Sequence, residues 1–227
     1  MPGADIGEVA FTDFDFADDV SLLAQIYDLL ASTLTIFEEE ASELGLHINW
    51  QKTKVQSLSD FLPRPPDIMV EGEAVECVEG FNYLGVLTHE SCRSTPEISR
   101  RLGMASGAFG ALQNNIWSTR ISLSTKIRLF NSYIMPVLLY GSETWSFGRR
   151  DQLRLDAFGT KCLRTLCGIK WSDFITNAEV YNRTGQTTVC GTIRRRRLGL
   201  LGHVARMPAD SDSRQAAGAG SAFLEAP

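Results

Sequence analysis

The chain has 227 residues, 44% hydrophobic and 22% charged, with 19 glycines and 8 prolines. This is globular composition, and it excludes a collagen-like, low-complexity or mostly disordered polypeptide. No apolar run approaches the roughly 18 residues of a membrane span. The segment Met1-Pro2-Gly3-Ala4-Asp5 lacks the basic and apolar stretches of a secretory leader. Cys77, Cys92, Cys162, Cys167 and Cys190 are odd in number and irregularly spaced, which argues against a disulfide framework. The expectation is a soluble intracellular protein, nuclear or cytoplasmic and not secreted. The net charge of −5 conceals an asymmetry. Residues 1–92 carry 3 Lys/Arg against 18 Asp/Glu, whereas residues 93–206 carry 18 against 6. A basic half of that size points to a polyanion, nucleic acid first, with a solvated arginine-rich helical face as the alternative.

In chain order, Phe14, Phe16, Val20 and Leu22 alternate with polar residues around Ala17-Asp18-Asp19, the pattern of a β-hairpin. Ile26, Leu29, Leu30, Thr33, Leu34, Phe37, Ala41 and Leu44 then recur at helical spacing, and Gly45 is placed to end the helix. Pro63, Pro65 and Pro66 precede short alternating runs near Ile68–Val70, Val75–Val78 and Phe81–Leu87, expected to be small antiparallel strands. Ser94-Thr95-Pro96-Glu97 is a helix start, a hydroxyl cap followed by Pro and Glu in the first turn. Ile98, Leu102, Ala105, Phe109, Leu112 and Ile116 make one apolar stripe. Leu123, Ile127, Phe130, Ile134 and Val137 make a second, which Pro136 must end or kink. Further helices are expected over about 151–167, 177–183 and 192–206, the last with Ile193, Leu200, Leu201 and Val204 inward. Residues 208–227 lack periodicity and are expected to be a disordered tail.

Asp18 and Asp19 at a hairpin tip are a carboxylate pair of the kind that holds hard divalent cations in phosphoryl-transfer sites. Read alone, the pair is better explained by the preference of Asp for turns. Cys162, Cys167, Cys190 and His203 do not have zinc-knuckle spacing, and Cys162 falls on an apolar stripe; core cysteines are expected, and no zinc. Arg194, Arg195, Arg196 and Arg197 run around most of a helix circumference and cannot all face one ligand. They are either a solvated basic turn or a nucleic-acid patch. Trp117, Trp145 and Trp171 are expected in the core, with base stacking the lesser reading. The three histidines have no matched Ser or Cys nucleophile, and no glycine-rich phosphate loop occurs.

Phe16-Ala17-Asp18-Asp19, an amphipathic helix, Gly45-Leu46-His47-Ile48-Asn49-Trp50-Gln51-Lys52-Thr53-Lys54 and Phe81-Asn82-Tyr83-Leu84-Gly85 follow one another in that order. Ile98 to Arg101, Trp117, Thr125-Lys126, Pro136 to Trp145, Cys162 to Arg164, Ile169 to Trp171 and Arg196 to Met207 continue the series. The ordered set, over roughly residues 11–208, resembles the later part of the reverse transcriptases of non-LTR (LINE-type) retrotransposons.

The resemblance implies an α+β chain: a partial polymerase palm followed by a helical thumb. Residues 1–60 match the late palm, 61–92 a primer-grip-like set of strands, 93–150 the thumb and 151–207 a basic helical C-terminal region. It implies that Asp18 is a catalytic metal ligand with Asp19 supporting it, that Lys52 approaches the incoming nucleotide, and that Mg²⁺ is the cofactor. Tyr83 and Gly85 belong to the implied primer-grip turn. Arg100, Arg101, Lys126, Arg128 and Arg194–Arg197 are the residues expected along an RNA template and DNA primer, through backbone contacts that read no sequence. Only ten residues precede Phe11, whereas the family's third palm carboxylate and fingers lie well upstream. Asp13 and Asp15 sit beside Asp18 on one strand and cannot replace a ligand from a neighbouring one. The chain by itself is therefore expected not to polymerise, and a non-catalytic nucleic-acid-binding relic is the alternative reading.

Overall fold

The structure is a computed structural model that describes the backbone of residues 4–6, 9–11, 13–58, 68–70 and 72–216, with side chains from Phe16 onward. The expected burial of Phe14, the Pro63–Pro66 stretch and residues 217–227 lie outside the described residues. The fold is α+β. Two compact units divide between Phe81 and Asn82, the first comprising residues 1–81 with 201–227, the second residues 82–200.

The first unit begins with hairpins β1–β2 (Ala4–Ile6, Val9–Phe11) and β3–β4 (Asp13–Phe16, Asp19–Leu22). Helix α1 (Tyr27–Glu43) follows. Its end is a Schellman turn: Gly45 lies at φ 74°, its N–H donates to the Ser42 carbonyl, and the Leu46 N–H donates to that of Ala41. Hairpin β5–β6 (Ile68–Val70, Glu73–Val75) faces α1. Leu34, Val55, Val70, Val75 and Cys77 form the core, with Tyr27, Leu30 and Ala31 from one stripe of α1 and with Ile48, Trp50 and Ile68. This core runs across the boundary expected near residue 60. Two further bonds lock it: Val55 N–H donates to the Glu76 carbonyl at 3.0 Å, and Glu38 accepts from the Ile48 N–H at 2.7 Å. That backbone hydrogen bond, with His47 beside it, holds the Glu38 carboxyl below its ordinary value. Part of the α1 stripe stays open: Ile26, Phe37 and Leu44 are exposed, as are Phe16 and Val20 of the β3–β4 hairpin.

Strand β7 (Gly80–Tyr83) crosses the division, and in the second unit its hairpin partner β8 (Val86–His89) leads to α2 (Thr95–Ala111). The expected cap is used differently. Ser94 makes no cap bond; its hydroxyl accepts from the Ser146 N–H at 2.8 Å, while Thr95 donates to Asp151 at 2.7 Å. Together they clasp the start of α2 to the start of α5 (Arg149–Leu166). The helical run does not stop at Pro136 itself: helix α3 (Leu123–Leu129) passes through a π turn at Phe130–Ile134 into α4 (Met135–Leu139), whose first turn holds Pro136 and which ends three residues beyond it. Helices α6 (Asn177–Thr184) and α7 (Val189–Ala205) follow. The core is built from Ile98 and Ala105 of α2, Trp117, Phe130, Ile134 and Leu138, Leu155, Cys162 and Leu163 of α5, Val180 and Ile193. Leu200 and Leu201 depart from expectation. They are exposed, whereas Ile193, expected inward with them, is buried. Residues 208–216 of the expected tail carry order: Arg214 donates to the Met207 carbonyl at 2.6 Å.

Helices α5 and α7 meet at Gly159, where an added Cβ would stand 2.6 Å from Val189 Cγ2. Gly to Ala inside a helix ordinarily stabilises by about 1 kcal/mol. Here the overlap reverses the sign, and Gly159→Ala is expected to lose about 1–3 kcal/mol in denaturant melts. A stabilised variant would show that α7 is not seated on α5.

Candidate nucleic-acid interface

Hairpin β7–β8 turns at Leu84 and Gly85, with φ 47° and 77°. Positive φ at both central residues matches the twist of the flanking strands, but Leu there costs about 1–2 kcal/mol. The surroundings hold it in place. The Tyr140 hydroxyl donates to the Leu84 carbonyl at 2.9 Å, and Arg100 donates to the Gly85 carbonyl at 2.8 Å, joined there by Arg101. The Arg101 guanidinium also lies over the Tyr140 ring, 4.6 Å from its centre. Both arginines are anchored by Glu97, each Nε donating to one carboxylate oxygen at 2.7 Å. Arg100 Nη2 adds a third bond at 2.9 Å and the Leu87 N–H a fourth at 3.1 Å. Burial alone would raise the Glu97 carboxyl, but the bonds from Arg100, Arg101 and Leu87 outweigh it and hold the group below its ordinary value.

Two glycines make the approach possible. A Cβ on Gly85 would reach 3.4 Å from the Tyr140 ring, and one on Gly141, itself at φ 69°, would come within 2.9 Å of Val86 Cγ2. Three segments far apart in sequence, Tyr83 to Gly85, Arg100-Arg101 and Tyr140-Gly141, thus form one rigid corner. The turn itself faces outward: Leu84 and Gly85 are exposed and Tyr83 is half-buried. Neither Glu97 nor Tyr140 is among the site residues expected from sequence, where Glu97 enters only as part of a helix start. For Glu97 the signal was there, since an acid three and four residues before two arginines is a helical ion-pair pattern.

The other expected residues fall into two groups. Arg101 and Lys126 are buried, the latter donating to the Trp117 carbonyl at 2.6 Å. Arg196 donates to the Leu139 carbonyl at 2.9 Å and to Glu143 at 3.3 Å, and Arg197 lies over the Phe147 ring at 4.8 Å. Arg128, Arg194 and Arg195 are exposed. The four-arginine run is therefore divided between inward and outward roles, as its helical spread requires.

In the first unit, Ala17 at φ 57° and Asp18 form the two-residue turn of β3–β4, and Asp19, paired with Phe16, opens β4. Both carboxylates are exposed, as is Lys52, whose N–H closes a turn on Asn49 at 3.0 Å. Two adjacent carboxylates are chemically suited to share a Mg²⁺ with substrate phosphates. Among the described residues, however, no group of three His, Cys, Asp or Glu side chains is placed to hold a metal ion. Cys162 and Cys190 are thiols whose pKa burial pushes up to about 12, with Asp156 adding to the effect at Cys190.

A transposon-derived protein of Caenorhabditis elegans is 29% identical over 203 residues, 86% of this chain and 72% of that protein. The RNA-directed DNA polymerase from the mobile element jockey of Drosophila melanogaster is 22% identical over 168 residues, 69% of this chain and 18% of the polymerase. The 115 kDa protein of a type-1 retrotransposable element of the same fly is 24% identical over 139 residues, 57% of this chain and 13% of that protein. The chain thus spans less than a fifth of these two long mobile-element relatives. No family model matches it and no solved structure matches it significantly. The chain is thus similar to transposon-derived and mobile-element proteins. These similarities support an origin in a non-LTR, LINE-type retrotransposon.

Proposed function

We propose that this chain corresponds to the late palm, primer-grip turn and thumb of a non-LTR retrotransposon reverse transcriptase, and that it holds an RNA–DNA hybrid by its phosphates. The observation that carries this reading is the corner formed by the β7–β8 turn, α2 and Tyr140. An exposed backbone turn, Leu84–Gly85, is fixed to a helical unit rich in Arg and Lys, the arrangement needed to steady a primer end beside a tracked backbone. In the parent enzyme, Asp18 and Asp19 would hold Mg²⁺, and the ion would supply charge stabilisation for phosphoryl transfer. Lys52 belongs to the same implied site, toward the incoming nucleotide. Arg128, Arg194 and Arg195 are the exposed cations that follow the phosphates. As an isolated 227-residue polypeptide the chain binds without polymerising. A non-catalytic binding relic is favoured as the second reading by the Caenorhabditis elegans relative, 72% of which the chain covers.

The test is hybrid binding against salt concentration, beside primer extension with Mg²⁺. Binding is expected to weaken steeply with salt, and replacing Arg194 and Arg195 by Ala is expected to lower the slope by roughly one unit for each phosphate no longer neutralised. No extension is expected. Extension abolished by Asp18→Ala would overturn the inactivity, and absence of hybrid binding would sink both readings.

A further inference from the structure

Between α5 and α6 the chain runs through Ile169-Lys170-Trp171-Ser172-Asp173-Phe174-Ile175-Thr176. Ile169 and Ile175 pack against the core of the second unit, so both ends of this loop are pinned. Between them, the Lys170 N–H donates to the Asp173 carboxylate at 2.8 Å, and the Asp173 N–H donates to the Lys170 carbonyl at 3.1 Å, closing one tight turn. Arg164 of α5 donates to the Ile175 carbonyl and, at 3.0 Å, to Asn177 Oδ1, while the Thr176 hydroxyl caps α6. On this bracket Trp171 is 89% exposed and Phe174 88%, the highest values of any large hydrophobic side chain described. The expectation that Trp171 lies in the core with Trp117 and Trp145 is corrected: those two are buried and Trp171 is not. Phe174 sits at φ 51°, a conformation an aromatic residue adopts only under constraint.

We propose that Trp171 and Phe174 form a stacking platform for the unpaired bases of single-stranded RNA or DNA. The proposal rests on the nucleic-acid reading above and adds a second mode to it. Two aromatic rings left in water by a well-pinned loop contribute nothing to the core, and that combination marks a contact surface. Base faces stack on aromatic rings whatever the sequence, and a loop already fixed loses little freedom when it binds. The charge of this half of the chain fits a polyanion: residues 93–206 carry 18 Lys/Arg against 6 Asp/Glu, and Lys170 beside Trp171 is exposed. In a duplex the base faces are covered by their neighbours, so this platform distinguishes single strands where the arginines do not.

The experiment uses the full chain with two probes, a short oligouridylate and a blunt-ended RNA–DNA hybrid. Trp171 is the exposed indole, since Trp117 and Trp145 are buried and Trp50 is half-buried. Oligouridylate is expected to quench its fluorescence. Trp171→Phe is expected to remove the quench while keeping affinity. Trp171→Ala with Phe174→Ala is expected to weaken oligouridylate binding about tenfold or more, with thermal stability and hybrid affinity unchanged. Equal oligouridylate affinity in the wild type and the double variant would overturn the platform and leave hybrid binding standing. Self-association abolished by the double variant, with nucleic-acid affinity unchanged, would also overturn it and assign the rings to a protein contact. Failure of the wild type to bind either probe would remove the nucleic-acid reading as well.

Discussion

Glu97→Ala is expected to destabilise the second unit by about 3–5 kcal/mol, the cost of leaving a buried cation without its partner. The side chains of Glu97 and Arg101 are 2% and 7% exposed, so water cannot replace the missing carboxylate. Arg100, at 29%, recovers part of its hydration. The sign of the pH dependence follows from the depressed carboxyl of Glu97. Its contribution is complete above the ordinary value of 4.5 and is lost as pH falls below it, through the lower value in the folded state. Glu97→Gln, which keeps the shape and removes the charge, is expected to flatten the acid limb of stability against pH relative to the wild type. Denaturant melts at neutral pH and near pH 4 measure both effects. A loss under about 1 kcal/mol would place the pair with exposed ion pairs and deny that it fixes the turn.

The same corner shows where sequence reading succeeds and where it stops. Helix positions were legible because apolar spacing is a local property: α1, α2, α5 and α6 begin and end within a few residues of their stripes. The clustering of Tyr83–Gly85 with Arg100, Arg101 and Tyr140 was not, because it depends on how α2, α4 and the hairpin are packed. Charge was read as a surface property, and for Arg128, Arg194 and Arg195 it is one. For Arg101 and Lys126 the same charge is directed inward to carbonyls at Gly85 and Trp117. Long side chains leave that choice open until tertiary partners exist. Trp171 failed for the opposite reason. An aromatic among apolar neighbours is read as core, yet Ile169 and Ile175, partly buried on either side of the turn, are the residues that pack against the core.

The corner between α2 and α3 carries the second large effect, through Trp117. Its ring is 2% exposed and stacks on Phe109, centres 5.1 Å apart at 19°, while Phe130 meets Phe109 edge-on at 6.4 Å. The indole N–H donates to the Phe109 carbonyl at 2.8 Å, and the Trp117 carbonyl accepts from Lys126 at 2.6 Å. Trp117 ends a π turn, Gln113–Trp117, which sets where the chain leaves α2. Trp117→Ala removes the ring, its stack and a carbonyl's donor together, and is expected to cost about 3–5 kcal/mol. Trp117→Phe keeps the apolar packing but loses the N–H donor, so a smaller loss of about 1–2 kcal/mol is expected. Lys126→Met is informative beside them, because the backbone carbonyl it leaves can still be reached by water if the corner opens. If the lysine holds the corner shut, combining Lys126→Met with Trp117→Ala costs less than the two separate losses added together, since both act on one packed junction. Additive losses would separate Lys126 from the corner and return it to the set of cations available to a nucleic-acid backbone.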